Sequence, residues 1–164
     1  RSEEDPRYGG WGGRFAFSNG MWRSVDEATS DPHSIGRWAI EFQNDWAARA
    51  DWCVAPVEEA NHHPVIALSA PLDRSVQAGE SITLDAQGTT DPDGDALTFQ
   101  WWYYAEASTY TQAVSLKTPT SATTTVTIPQ NAVAGYTIHI VCTVRDNGAP
   151  SLARHARHIF TVSK

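Results

Sequence analysis

The sequence contains little lysine and no cluster of basic residues. Among its 164 residues, 12 are basic and 19 are acidic, which gives a net charge of −7. Its two lysines, Lys117 and Lys164, are far apart in the chain. Nucleic acids and anionic membranes are bound mainly through clustered positive charge. We therefore expect neither a nucleic acid nor a membrane as a partner.

Long apolar runs are absent as well. No stretch approaches the roughly 20 apolar residues that a membrane-spanning helix needs. The chain opens with RSEEDPRYGG, which has neither an initiator methionine nor the apolar segment of a signal peptide. We expect a processed or excised piece of a longer protein.

Cysteine is scarce, with one residue in each part of the chain. Cys142 lies in a strand-like pattern on the same face as Ile138 and Ile140, which predicts that it points into a core. Cys53 follows a predicted helix. A disulfide between the two would join the two parts, but two free thiols fit the sequence equally well.

Tryptophan is abundant in contrast, with seven residues, and the start of the chain is rich in glycine and aromatic residues. Residues 8–15 read YGGWGGRF, an irregular arm that cannot form a core of its own. Over residues 34–51, apolar residues recur at spacings of three and four, which predicts an amphipathic helix. This helix must bury its apolar stripe against the rest of the chain or against another domain. The stripe consists of Ile35, Trp38, Phe42 and Trp46.

After Pro64 the pattern changes to alternation with a period of two, which is typical of β-strands. Seven such segments, separated by turn signals, predict a mainly β, immunoglobulin-like sandwich over residues 61–164. The last strand carries Arg154, Arg157 and His158, and this charge favours a solvated edge strand. We expect the strands at about 65–68, 82–86, 97–104, 114–116, 124–128, 136–145 and 155–162, with a turn at 75–79.

Several motifs resemble known families. GESITLDAQGTTDPDGDALTFQWWYY and YTIHIVCTVRDNGAP resemble the PKD and cadherin-like immunoglobulin folds of extracellular bacterial proteins. YGGWGGRF, IGRWAIEFQNDWAARADWCV and EANHHPV resemble the secreted bacterial cellulose-binding protein family, in which a nucleoside hydrolase-like domain precedes a sandwich of this type. The resemblance implies that residues 1–60 are the C-terminal remnant of that domain and that residues 61–164 are the sandwich. It also implies a secreted or periplasmic location.

The resemblance also bears on catalysis. Nucleoside hydrolases hold calcium with an aspartate-rich motif near the N-terminus, and nothing in residues 1–60 matches that motif. We therefore expect that this chain alone is not catalytic. The preceding domain or a companion chain would supply the catalytic segment, and this chain would contribute a pocket wall. The wall residues implied are Trp11, Arg14, Asn44 and Asp45.

The strand that carries two neighbouring tryptophans is the best candidate for a binding surface. Alternation directs Trp101 into the core. The opposite face then carries Trp102, Tyr104 and Gln100, and Tyr110 follows in the next loop. Exposed aromatic rings beside an amide suit a carbohydrate, because the C–H face of a sugar packs on a ring while polar groups fix its hydroxyls. The alternative, which stays open, is that residues 1–60 cover this face.

An acidic loop is the candidate metal site. Asp91, Asp93 and Asp95 alternate around Gly94, and three carboxylates on a tight loop can chelate calcium. The same residues are also good turn formers, because aspartate accepts backbone N–H bonds and glycine adopts positive φ. Both interpretations remain open.

Three classes of function fit the sequence. The first is a noncatalytic module that binds a cellulose-like polysaccharide and targets a secreted bacterial protein to it. The second is the C-terminal portion of a nucleoside hydrolase-like enzyme whose catalytic segment is on another fragment. The third is a structural spacer or assembly subunit.

Overall fold

Seven strands of the second part of the chain form a sandwich, as the alternation predicted. The computed structural model of the protein describes residue 1, residues 3–25 and residues 34–164, and the elements below belong to these residues. One sheet has the order β3-β9-β8-β5 and the other the order β4-β7-β6. β3 runs parallel to β9, and the other neighbouring strands of the sandwich are antiparallel. The strands are β3 (Asp73–Val76), β4 (Ser81–Asp85), β5 (Thr98–Tyr103), β6 (Ser115–Leu116), β7 (Thr123–Thr127), β8 (Thr137–Arg145) and β9 (Ala153–Val162).

The core lies between the two sheets, because every second residue of each strand points inward. Leu84 and Val126 from one sheet pack against Trp101 and Ile140 from the other, and all four are almost fully buried. The indole N–H of Trp101 donates a hydrogen bond to the carbonyl oxygen of Ser121 at 2.9 Å. The predicted inward direction of Trp101 is therefore confirmed.

Two details of the predicted strand arrangement are wrong. Val65 makes only a single bridge with Thr90, and the first strand is β3, which lies partly where a turn was predicted. The apolar pattern does not reveal β3 because only its Val76 is buried, and backbone pairing with β9 sets its position. The last strand is not an edge strand, since β9 lies between β3 and β8 and buries both Arg157 and His158.

A short hairpin precedes the helix. Its strands are β1 (Phe15–Ser18) and β2 (Met21–Ser24), paired in antiparallel register. Asn19 and Gly20 connect them with φ values of 51° and 77°. Two positive φ angles in a two-residue connection are typical of the type I′ turn, which Asn-Gly favours.

The predicted helix begins as a 3₁₀ turn at Gly36–Trp38 and continues as α1, Ala39–Asp51. It packs on the outer face of the four-stranded sheet through Trp38, which is 4% exposed. The predicted stripe is partly wrong, because Ile35 and Trp46 are 42% and 73% exposed. Residues 38, 45 and 48 are buried on one face of the helical segment. With about 3.6 residues per turn, residue 46 lies off that face and points away from the sandwich. No helix among the described residues is long and apolar enough to cross a membrane.

The two cysteines are free thiols. Cys142 is buried in the core, as predicted, and Cys53 is exposed at the end of the helical segment. Burial raises the pKa of the Cys142 thiol to about 12. Of the two alternatives that the sequence allowed, the structure contains the free thiols rather than the disulfide.

Candidate functional site

A groove lies between the start of the helical segment and the outer face of β5 and β8. Its volume is about 790 Å³, which is within the range of small-molecule sites. The strand register places Thr98 opposite Arg145 and Gln100 opposite Thr143, so all four line the same face. We call this space the helix groove. Its other main lining residues are Arg37, Trp38, Glu41 and Trp102.

Trp102 is held in one orientation at the groove. Its indole N–H donates to the hydroxyl oxygen of Thr143 at 3.1 Å, and this hydroxyl lies 2.9 Å from Nδ1 of His155. Burial lowers the pKa of His155 to about 4, so the ring is neutral at pH 7. The ring of Trp38 lies 6.0 Å from that of Trp102. Trp102 is partly buried and lines the groove, and its predicted role in carbohydrate binding stays a prediction.

Tyr104 is placed differently from the prediction. It lies on the same face as Trp102 but is completely buried beneath residues 1–60. The guanidinium groups of Arg37 and Arg157 lie 4.6 and 5.0 Å from its ring centre, and Trp38 contacts its edge. The expectation that Tyr104 is exposed is therefore wrong. At this position the open alternative, cover by the first part of the chain, is what the structure contains.

The other two predicted platform residues, Tyr110 and Gln100, lie in different parts of the structure. Tyr110 is 3% exposed, packs in the sandwich core and donates its hydroxyl proton to the side-chain oxygen of Asn131 at 2.9 Å. It offers no exposed ring face, because the loop before β6 folds inward, so the prediction that it extends the aromatic surface is wrong. Gln100 is exposed and lines the helix groove. The predicted platform is thus reduced to Trp102 and Gln100.

Charge in the helix groove is balanced by ion pairs. Nη2 of Arg145 lies 2.6 Å from Oε1 of Glu41, and Nη2 of Arg37 lies 3.2 Å from Oε1 of Glu106. All four side chains are at most about one-third exposed. The pair between Glu41 and Arg145 also joins α1 to the end of β8. The groove therefore offers hydroxyl, amide and paired charged groups beside aromatic rings.

Two of the four predicted wall residues make polar contacts within this chain. The amide of Asn44 donates to the carbonyl oxygen of Ser151 at 2.8 Å, and Asp45 is buried and paired with Arg49 at 2.7 Å. Burial raises the pKa of the Asp45 carboxyl, but the hydrogen bond and charge of Arg49 outweigh this effect and lower it overall. Asn44 and Asp45 are therefore engaged by this chain itself. Trp11 and Arg14 are partly buried, and their predicted role in a shared pocket stays a prediction.

The acidic loop brings its three carboxylates together. Oxygen atoms of Asp91, Asp93 and Asp95 lie within 4.8 Å of one another. Oδ1 of Asp91 accepts the backbone N–H groups of the other two at 2.9 and 3.1 Å, as in a turn. Asp93 accepts the backbone N–H of His62 at 2.6 Å. Desolvation and the charge of Asp91 raise the pKa of Asp95. The hydrogen bonds of Asp91 show the turn role, and calcium binding by the three neighbouring carboxylates stays a prediction.

Comparison with protein families gives a match over residues 81–162. The matching family is described as the cellulose-binding protein Sde0182, C-terminal domain. The match covers half of the chain. The chain belongs to this family.

Comparison with solved structures extends the likeness to the first part of the chain. A nucleoside hydrolase-related hypothetical protein from Saccharophagus degradans, described as associated with carbohydrate metabolism, is 36% identical with a TM-score of 0.86. The match covers 96% of this chain and 43% of that protein, so the chain spans less than half of its relative. The PKD domain of the KIAA 1837 protein is 20% identical with a TM-score of 0.41, over 59% of this chain and 87% of that domain. The curated proteins contain no match.

Most polar residues of the helix groove were missed by reasoning from the sequence. Thr143 and Arg145 follow from the pairing of β5 with β8, once the register of the two strands is known. Glu41 and Arg37 come from the helical segment, and no local pattern indicates which of its residues meets the sandwich. In this family member the groove is therefore a product of tertiary packing.

Proposed function

We propose that this member of the cellulose-binding protein family binds a polysaccharide in the helix groove without altering it chemically. The observation that carries the proposal is the position of Trp102, an oriented aromatic side chain in a groove that also contains amide, hydroxyl and ion-paired groups. The name of the family and the description of the Saccharophagus relative support a carbohydrate ligand.

The charges of the groove support an uncharged glycan such as cellulose. Arg145 and Arg37 are each paired with a carboxylate, so neither presents an uncompensated charge to a ligand. The C–H face of a neutral pyranose would pack against Trp102, while Gln100 and the ion-paired groups fix its hydroxyls. A glycan chain is expected to run along the groove between α1 and β5.

The direct test is retention of the protein on insoluble cellulose. Replacing Trp102 with alanine should weaken binding at least about tenfold, which corresponds to ~1.4 kcal/mol. The matched control is Trp46→Ala, which removes an exposed tryptophan that does not line the groove. Gln100→Ala tests the same site with an exposed residue whose loss leaves the fold intact. Unchanged retention of both the Trp102 and the Gln100 variants would contradict the proposal.

We infer a second candidate function for residues 1–60, namely support of a hydrolase-like domain. Its basis is a set of large apolar side chains on the first part of the chain that the sandwich does not cover. Phe17, Ile40 and Trp46 are 61%, 65% and 73% exposed. A domain of the kind implied by the Saccharophagus relative would bury them.

Hydrogen exchange tests this second role. In the longest polypeptide that carries this sequence, amides of β1, β2 and α1 should exchange more slowly than in the 164-residue chain. Equal exchange rates in the two polypeptides would contradict this second role. Such a result would favour a spacer whose only site is the helix groove. The proposed secreted or periplasmic location is tested separately by fractionating the native cells, and a cytoplasmic signal would contradict it.

A further inference from the structure

His155 occupies a central position on the outer face of the four-stranded sheet. It lies on β9 opposite Thr143 of β8, which in turn lies opposite Gln100 of β5, so the three residues form one row across the sheet. Nδ1 of His155 is 2.9 Å from the hydroxyl oxygen of Thr143, and its ring meets that of Trp38 edge-on at 5.0 Å. His155 also lines the helix groove. The ring is therefore linked to both tryptophans of the groove, to Trp38 directly and to Trp102 through Thr143.

Thr143 gives Trp102 a directional contact. The rings of Trp38 and Tyr104 lie 6.0 and 5.1 Å from that of Trp102, and such ring contacts depend little on how the indole is turned within its own plane. A hydrogen bond weakens steeply as its angle departs from linearity. The bond of 3.1 Å from the indole N–H to the hydroxyl oxygen of Thr143 therefore fixes that turn. Thr143 is thus placed to orient Trp102, and His155 is placed to orient Thr143.

The surroundings of His155 favour a neutral ring. Its Nε2 is buried and has no hydrogen-bond partner among the described residues. An imidazolium is a donor at both nitrogens, so a protonated His155 would leave a buried N–H without an acceptor. Burial is the main cause that lowers the pKa of His155 to about 4; nearby arginines add to it, and one carboxylate opposes it. The charged groups around the ring are Glu41 of α1, Arg145 of β8, and Arg154 and Arg157 of β9, while the 3₁₀ turn and the arm contact it through the uncharged Trp38 and Trp11.

We propose that His155 is a positioning residue of the helix groove and that its neutral ring, acting through Thr143 on Trp102, is required for glycan binding. This inference rests on the proposed function. Protonation gives the ring a second N–H that its site does not satisfy, so the ring leaves the row, and Thr143 and Trp38 lose their partner. Glycan affinity is then proportional to the fraction of chains in which the ring is neutral. Binding is complete at pH 7 and falls as the pH approaches 4.

The dissociation constant for cellohexaose, measured by calorimetry in steps from pH 7 to pH 4, tests this inference. Circular dichroism at each step reports that the chain is folded. With a pKa of about 4, half of the rings are neutral at pH 4, so the dissociation constant there should be about twice that at pH 7. Binding with equal constants at the two pH values would overturn this inference alone. No binding at pH 7 would overturn the proposed function and this inference with it.

A matched pair of variants assigns the pH dependence to His155. His155→Asn retains an amide beside Thr143 but does not titrate in this range, so its dissociation constant should be equal at pH 7 and pH 4, whatever its affinity at pH 7. The control, His62→Asn, removes a histidine that does not line the groove and should keep the twofold rise. A rise that persists in His155→Asn would overturn the proposal, because another group of the groove would then cause it.

The NMR signal of the Trp102 indole N–H gives a readout that needs no ligand. In the parent chain it should shift on acidification with a midpoint of about pH 4, and in His155→Asn it should not. Thr143→Val removes the acceptor of this N–H, whereas Thr143→Ser retains it, so the serine variant should bind cellohexaose at least about fivefold more tightly than the valine variant. A Trp102 signal that does not respond to pH, or equal affinities of the two Thr143 variants, would contradict the proposal.

Discussion

In residues 61–164 a large apolar core lies between two sheets, whereas in residues 1–60 several of the largest apolar side chains are exposed. Trp101 is 1% exposed in the core, and Trp46 is 73% exposed on α1. The buried aromatic residue of the helical segment, Trp38, is covered only because it packs on the outer face of the sandwich. The sandwich thus has a core of its own, while the first part depends on the sandwich and, in return, forms one side of the helix groove.

Acidification should weaken the contact between the two parts more than any single substitution. His139 lies 4.8 Å from the ring of Tyr8 and His155 lies 5.0 Å from that of Trp38, and burial lowers the pKa of each histidine to about 4. The unfolded chain binds these protons more readily, so stability is complete above about pH 6.5 and is lost as the pH falls towards 4. The loss should be on the order of 3 kcal/mol per ring.

Urea unfolding at several pH values between 7 and 4 measures this loss. His139→Leu should remove part of the acid sensitivity, because it deletes one buried histidine with a lowered pKa while His155, His158 and His63 remain. A variant as acid-sensitive as the parent would contradict this assignment.

Trp101→Ala should have the next largest effect. It removes a fully buried side chain from the core and leaves the Ser121 carbonyl without its donor, so the free energy of unfolding should fall by about 3–5 kcal/mol. Chemical denaturation measures the change. A loss below 1 kcal/mol would mean that the core of the sandwich does not depend on this residue.

Calcium should stabilise the sandwich more modestly. Extracellular calcium modules bind with dissociation constants of about 0.1–1 mM, so about 10 mM calcium should add about 1–3 kcal/mol. The readout is the melting temperature with calcium and with EDTA. Asp95→Asn should abolish the difference, and a melting temperature equal in both solutions would count against the predicted site.

Trp46→Ala should have the smallest effect in the 164-residue chain. Its side chain is largely exposed, and substitutions at exposed positions usually change the free energy of unfolding by less than about 0.5 kcal/mol. Chemical denaturation of this variant and of Trp101→Ala under the same conditions compares the losses in the free energy of unfolding from the two parts. A loss as large as that of Trp101→Ala would show that residues 1–60 have a core that we did not identify.

The fold of the sandwich could be predicted because alternation reports burial on one side of a strand. Trp101 and Cys142 were placed correctly for this reason. β3 was missed because it follows its neighbour through backbone pairing and buries only Val76. β9 was taken for an edge strand because its charges suggested solvent, although Arg157 is covered by the carbonyl groups of the arm.

The candidate site was less predictable from the sequence. Alternation correctly placed Trp102 and Gln100 on the outer face. It gave no information on cover by another segment, and this is why Tyr104 was expected to be exposed. The helical periodicity indicated an apolar stripe but not its rotation, and so Trp46 was assigned to the wrong face.

The central claim is that the outer face of the sandwich and the helical segment together form a polysaccharide site. The most direct test is the dissociation constant for cellohexaose, measured by calorimetry on the parent, Trp102→Ala and Trp46→Ala chains. We expect binding that weakens at least about tenfold with Trp102→Ala, equivalent to ~1.4 kcal/mol, and is unchanged with Trp46→Ala. Equal affinities for the parent and the Trp102 variant, or no binding by the parent, would contradict it.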